Sequence, residues 1–203
     1  MNKDEEKIAL QHLSKKDPIL GEVIKKVPPF ERTWGKNYFL DLCESIVSQQ
    51  LSVKAADTIW KRFLALFSTE NPTPEQVISI DKEKMRECGI SYQKISYIKD
   101  LAERTAASGI LFEQFEIMTD EEIITELIKV KGIGVWTAEM FLMFTMNRPD
   151  IFSYGDLGIR RAIQRLYNLK KEPTQKKADQ IAKKWKPYRT LACRYLWKSL
   201  DLK

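Results

Sequence analysis

The chain has 203 residues, 43% of them hydrophobic, and a formal net charge of +6. That is enough apolar material for one large or two small helical units with a core. No run of eighteen apolar residues could span a membrane, and the opening Met1 to Glu6 lacks the apolar stretch of a signal peptide.

Glu5 to Leu13 predicts a short amphipathic helix, with the single histidine, His12, expected at its surface. Asp17-Pro18, a capping residue followed by proline, starts a second helix that runs to Lys26. Val27-Pro28-Pro29-Phe30 stops it, and with Trp34-Gly35 it reads as a connector between two bodies. Tyr38 to Ser48 carries Phe39, Leu42, Cys43, Ile46 and Val47 on one stripe, and Ser52 caps the next helix, to Phe67. Thr73-Pro74 opens a short helix to Ile80, and Asp81 caps another to Glu87. Gly89 then breaks the chain, and Ser91 caps a long helix from Tyr92 to Ser108. Thr119 to Glu122 has the form of a capping box ahead of a helix with Ile123, Ile124, Leu127 and Ile128 on its apolar side. Lys131-Gly132-Ile133-Gly134 interrupts it, and another helix follows from Val135 to about Asn147. Ile151 to Gly155 is an irregular connector. Asp156 begins the helix carrying Ile159, Ile163 and Leu166, Thr174 caps one to Trp185, and Pro187 starts the last. No segment alternates as a strand would, so the predicted fold class is all-α. The two connectors predict a central helical domain over residues 34–148 and a second domain from residues 1–33 plus 149–203.

Two features carry chemistry. Helix, glycine turn, helix exposes backbone N–H groups at a helix N-terminus, which is an anion site; an ordinary helix–helix turn is the competing reading. From Leu157 to Lys203 there are fourteen Lys and Arg against three Asp and Glu, a balance that suits a face turned to a polyanion as well as a solvated lysine-rich surface. The cysteines Cys43, Cys88 and Cys193 show no metal-ligand spacing and are expected to be buried thiols.

The stretch from Val130 to Ala138, together with Gly155-Asp156, resembles the helix–hairpin–helix–Gly/Pro–Asp superfamily of DNA base-excision glycosylases. Within it, Ile46 to Val53, Trp136-Thr137-Ala138 and Trp185-Lys186-Pro187-Tyr188-Arg189 through Trp197 resemble the 3-methyladenine DNA glycosylase II branch. The resemblance covers about residues 30 to 200 and leaves no room for the extra N-terminal β domain that many of that branch carry. It implies two helical domains flanking a DNA-binding cleft, and a monofunctional enzyme that flips alkylated purines out of double-stranded DNA and hydrolyses their glycosidic bond.

The same resemblance implies residue roles. Asp156 is the catalytic carboxylate, as electrostatic stabiliser of an oxocarbenium-like sugar or as base toward water. Trp136 stands where bifunctional relatives carry a lysine nucleophile, so water becomes the acceptor and the indole can stack on the flipped base. Trp197 is a second aromatic platform, and Met140 occupies a pocket position held by tyrosine in some relatives. Gln49, Gln50 and Leu51 contact DNA, with either Gln50 or Leu51 as the side chain inserted into the duplex gap. Lys131, Gly132, Gly134, Arg160 and Arg161 face DNA. The backbone carbonyls of Ile128, Val130 and Ile133 hold a sodium or potassium ion that takes no part in the chemistry. No cofactor is implied for the reaction. The four-cysteine iron–sulfur loop of some relatives is missing, since only Cys193 lies in that region. The expected protein is an intracellular monomer, free of membranes, working on DNA with a damaged base. The competing functions are a glycosylase for hypoxanthine, uracil or mismatched thymine, a non-catalytic helix–hairpin–helix DNA binder, and a helical interaction domain with an incidental basic face.

Overall fold

The computed structural model describes residues 3–28, 30 and 37–202. In chain order the helices are α1 (Lys3–Lys16), α2 (Pro18–Lys26), α3 (Tyr38–Ser48), α4 (Val53–Leu64), α5 (Pro74–Ser79), α6 (Lys82–Glu87), α7 (Tyr92–Ala106), α8 (Asp120–Leu127), α9 (Val135–Phe144), α10 (Leu157–Leu166), α11 (Gln175–Ala182) and α12 (Arg189–Ser199). Short 3-10 turns occur at Phe112–Gln114 and Lys183–Trp185. No strand occurs among the described residues, as the sequence predicts. The chain divides into two compact units, residues 35–141 and residues 1–34 with 142–203. The later boundary therefore falls inside α9 and not after residue 148. The Arg148 amide bonds back to the Leu142 carbonyl at 2.9 Å, which ties the end of α9 to the turn that follows it. The connector expected around Trp34-Gly35 lies largely outside the described residues.

The helix starts of the 35–141 unit are set locally. Asn37, Ser52, Thr73, Asp81, Ser91 and Thr119 each accept a first-turn backbone N–H, and Thr73 and Thr119 form complete capping boxes. Helix α7 is the centre of this unit: α3, α5 and α6 all pack on it, and Ile95, Ile98, Leu101 and Ala102 are its buried face. In the other unit α1 packs on α2, α2 and α10 on α12, and α1 on the Lys183–Trp185 turn. Leu13, Leu20, Trp185, Tyr195 and Leu196 are fully enclosed there. A Leu or Ile side chain buried to that degree contributes about 1.5–3 kcal/mol before entropy is counted, so these faces decide which helices associate.

Several boundaries differ from expectation. Helix α1 is longer at both ends than Glu5 to Leu13, and α4 stops at Leu64 and not Phe67. The last helix begins at Arg189, not at Pro187. The Tyr188 amide donates to the Trp185 carbonyl at 2.7 Å, closing a turn around the cis Lys186–Pro187 peptide before the helix can start. His12 is half-buried, with its ring edge-on to Tyr188 at 5.4 Å, because α1 lies against another helical segment instead of facing only solvent. All three cysteines are buried and unpaired by disulfides, and burial pushes the Cys43 thiol far up from its ordinary pKa.

Candidate functional site

The glycine turn joins α8 to α9 within the 35–141 unit. Gly132 has φ of +79°, and a Cβ added there would lie 2.0 Å from the Tyr97 ring. Only glycine fits, both for its backbone angle and for the ring beneath it. At Gly134 an added Cβ would meet nothing within 4 Å. The two glycines thus differ in kind: Gly132 is demanded by the fold, while Gly134 leaves open space on the outer side of the turn. The Ile133 amide closes the turn on the Val130 carbonyl at 3.1 Å. The Lys131 amide donates to Asp100 Oδ2 at 2.9 Å, the oxygen that also takes Arg104 Nε at 2.9 Å, while Lys131 Nζ stands 3.6 Å from Oδ1. Burial pushes the Asp100 carboxyl up, but the Lys131 amide and the Arg104 guanidinium outweigh it, and the net shift is downward. Helix α9 then opens with Val135 53% and Trp136 46% exposed, whereas Thr137 and Ala138 are buried. Trp136 is therefore no core residue. Met140, one turn on, is half-buried.

The loop Gln49-Gln50-Leu51 follows α3 in the same unit. Gln50 is exposed with φ of +58°, an uncommon backbone state for a residue with a side chain, and Leu51 is also exposed. The Leu51 amide returns to the Ser48 carbonyl at 3.1 Å, and Ser52 caps α4 directly afterward. Gln49 Nε2 donates to the Gly132 carbonyl at 2.9 Å. Two predicted sites 83 residues apart are thereby joined by one hydrogen bond.

Asp156 belongs to the other unit, at the end of an irregular connector that is pinned at several points. Arg189 clamps the Asp150 carboxylate at 2.7 and 2.9 Å, and the Ile151 amide donates to Thr190 Oγ1 at 3.0 Å. Asp156 is the N-cap of α10. Its Oδ1 accepts the Ile159 amide and the Trp197 indole N–H, each at 2.8 Å. The carboxylate is half-buried and fixed in orientation by two donors from separate segments. Gly158 makes this possible: a Cβ there would sit 3.0 Å from both Asp156 Oδ1 and Trp197 Cδ1.

The remaining predicted residues divide. Trp197 is half-buried, its ring 5.8 Å from that of Phe144, and its N–H is committed to Asp156. Arg160 donates to the Tyr154 and Gly155 carbonyls at 3.1 and 2.9 Å and pairs with Glu172 at 3.1 Å, so it braces the connector. Its neighbour Arg161 is exposed. Ile128 is exposed, whereas Val130 and Ile133 turn their side chains inward from a backbone that bends around Gly132. Sequence reasoning missed Gly158, Tyr97, Asp100 and Lys94. Gly158 had a weak signal, a glycine two residues beyond the capping Asp; the others had none, since their partners are remote in the chain. Among the described residues no group of three His, Cys, Asp or Glu could hold a metal ion, and no helix is long and apolar enough to cross a membrane.

Comparison with known proteins yields consistent matches. The family model described as HhH-GPD superfamily base excision DNA repair protein matches residues 43–187. DNA-3-methyladenine glycosylase 1 of Schizosaccharomyces pombe is 38% identical over 197 residues, covering 94% of this chain and 86% of that protein. The solved structure of the S. pombe 3-methyladenine DNA glycosylase in complex with abasic DNA superposes with a TM-score of 0.85 at 38% identity, over 96% of this chain and 97% of that one. A DNA-3-methyladenine glycosidase from Bacillus halodurans gives a TM-score of 0.86 at 35% identity, over 96% and 89% of the two chains.

Proposed function

Because the chain belongs to the HhH-GPD superfamily of base excision DNA repair proteins, we propose that it is a monofunctional DNA N-glycosylase that removes alkylated purines, 3-methyladenine foremost, and acts as a monomer on damaged duplex DNA. The observation that carries this reading is the Asp156 carboxylate, half-buried at a helix start and held by the Ile159 amide and the Trp197 indole. The names of the relatives, 3-methyladenine glycosylases from two organisms, support the substrate class.

In the reaction the bond from deoxyribose C1′ to the purine nitrogen breaks. The base leaves with the bonding pair, and the sugar acquires oxocarbenium character. Asp156 stabilises that positive charge; water adds its oxygen to C1′ and loses its proton to Asp156 or to solvent. With Trp136 where an amine nucleophile would stand, no covalent enzyme–sugar intermediate forms. The exposed Trp136 indole is the stacking surface for the base. Alkylation at N3 or N7 makes a purine cationic, which strengthens stacking on indole and weakens the glycosidic bond, so alkylated bases are favoured twice over. Trp197 positions the carboxylate.

The hairpin grips the backbone. The N–H groups at the start of α9 and the open face at Gly134 accept a phosphate, with Lys131 adding charge, and the exposed Arg161 adds charge toward DNA on its own unit. Gln50 or Leu51 fills the gap left by the base. The carbonyls of Ile128, Val130 and Ile133 would hold a monovalent cation. An all-oxygen donor set suits such a hard ion, and the hydrogen bond that the Val130 carbonyl accepts from the Ile133 amide takes up one of its two lone pairs. Held there, such an ion would supply positive charge toward DNA and take no part in the chemistry.

Methylated duplex DNA incubated with the protein should release free 3-methyladenine ahead of hypoxanthine or uracil. The abasic strand should stay intact until alkali is added, and borohydride should trap no protein–DNA adduct. Faster release of uracil or mismatched thymine would move the substrate class, and an efficiently trapped adduct would sink the assignment of water as acceptor.

A further inference from the structure

Helix α7 touches both DNA-facing elements of its unit through one row of side chains. Lys94, Tyr97 and Asp100 follow one another at three-residue spacing, so they lie along one side of the helix. Lys94 Nζ donates to the Val47 and Gln49 carbonyls at 2.8 and 2.6 Å. These are C-terminal carbonyls of α3, which no intrahelical N–H can satisfy. Tyr97 is the ring beneath Gly132. Asp100 receives the Lys131 amide. The Gln49 side chain closes the circuit on the Gly132 carbonyl at 2.9 Å. Burial lowers the Lys94 pKa, in keeping with an ammonium drawn off the surface to serve carbonyls.

A second lysine on the same helix shows what this arrangement does when no loop of interest follows. Lys99 Nζ donates to the Val77, Ile78 and Ile80 carbonyls at 2.8, 2.7 and 2.5 Å, closing the end of α5. Both lysines satisfy a helix C-terminus. Only Lys94 holds the residue that precedes Gln50, whose left-handed backbone and exposed side chain stand ready at the loop tip.

We propose that Lys94 is a positioning residue for base flipping. It fixes the Gln49–Leu51 loop on α7 at a set distance from the hairpin, so that insertion into the duplex and the grip on the phosphate occur in register. This deepens the glycosylase reading and rests on it. A loop held in this way matters where a stacked duplex must be opened, and much less on a single strand, where no gap has to be filled.

The test uses Lys94→Gln, which cannot bridge both carbonyls, Lys94→Arg as the conservative variant, and Lys99→Gln as the control for loss of a helix-end lysine. Excision of 3-methyladenine is measured on duplex and on single-stranded DNA. In parallel, 2-aminopurine fluorescence next to an abasic analogue in duplex DNA reports insertion of the loop without any need for turnover. Lys94→Gln should lower the duplex-to-single-strand ratio of kcat/KM by roughly tenfold or more, as misplacement of a positioned group does, and should abolish the fluorescence rise. Lys94→Arg should restore part of both. Lys99→Gln should lower the unfolding midpoint but leave the ratio and the fluorescence at wild-type values. Equal losses on the two DNA forms, an unchanged fluorescence rise in Lys94→Gln, or the same fluorescence loss in Lys99→Gln would overturn the proposal. If wild-type protein releases no base from either DNA, the glycosylase reading fails separately, and the fluorescence arm still decides the role of Lys94.

Discussion

Asp17 and Asp156 do the same local job in the same unit. Each is an N-cap, Asp17 for α2 and Asp156 for α10, and each accepts the indole N–H of a distant tryptophan: Trp185 at 3.0 Å and Trp197 at 2.8 Å. Their surroundings differ. Asp17 is 1% exposed, takes the Tyr167 hydroxyl at 2.5 Å and the Leu20 amide at 3.4 Å, and has Lys184 Nζ at 3.9 Å. Burial and the adjacent Asp17 charge push the Tyr167 hydroxyl well above its usual pKa. Asp156 is half-buried at the end of a braced connector. A similar cap-and-indole pairing, split over the two oxygens of Asp17 and gathered on Oδ1 of Asp156, is a sealed hub in one place and half-buried in the other. Exposure, not residue type or the presence of a cap, distinguishes the two carboxylates.

The comparison breaks most visibly at Asp17. Asp17→Ala strands a half-buried hydroxyl and a buried indole N–H. Denaturant unfolding should show a loss of at least about 3 kcal/mol, while excision per folded molecule stays within about twofold of wild type. A stable Asp17→Ala protein would mean that the hub holds little together. Gly158→Ala probes the other carboxylate through its neighbour. The new Cβ would press on both Asp156 Oδ1 and Trp197 Cδ1 at 3.0 Å. Excision should fall by roughly tenfold with little change in the unfolding midpoint, since the strain falls on the oriented carboxylate; a change in stability alone would show that the Asp156–Trp197 bond is only structural.

Much of this was legible in the sequence. Asp17, Ser52, Thr73, Asp81, Ser91, Thr119, Asp156 and Thr174 each announce a helix start, because capping is a matter of three or four consecutive residues. Pro187 misled for the same reason: the local rule favours proline at a helix start, but here the turn onto Trp185 delays the helix to Arg189. The hairpin, Trp136 and Asp156 could be singled out from spacing and resemblance. What holds them could not. Lys94 reaches Gln49 across 45 residues, Asp100 reaches Lys131 across 31, and Trp197 reaches Asp156 across 41. No periodicity encodes those pairings. The hydrogen bond that the Trp197 indole gives Asp156 likewise needed the geometry.

The smallest expected effect concerns acid stability of the hairpin. The Asp100 carboxyl is shifted below its ordinary 3.8 in the folded protein. A depressed native pKa contributes stability that is present above the unfolded value and lost as pH falls through the native one. The unfolding midpoint should therefore drop as pH is taken below 3.8. Asp100→Asn should be less stable near neutral pH and should flatten that part of the acid limb. An Asp100→Asn protein with the full acid limb of wild type would assign it to other carboxylates.

The most direct test of the account is single-turnover release of 3-methyladenine by Asp156→Asn, with saturating protein and the unfolding midpoint measured on the same preparation. Asparagine retains an oxygen for the Ile159 amide and the Trp197 indole but removes the negative charge proposed to stabilise the sugar cation. The account predicts a fall in rate of roughly a hundredfold or more, with binding to abasic-site DNA retained and the midpoint within about two degrees of wild type. Release at the wild-type rate would contradict it, and Asp156 would then be, like Asp17, a cap and nothing more.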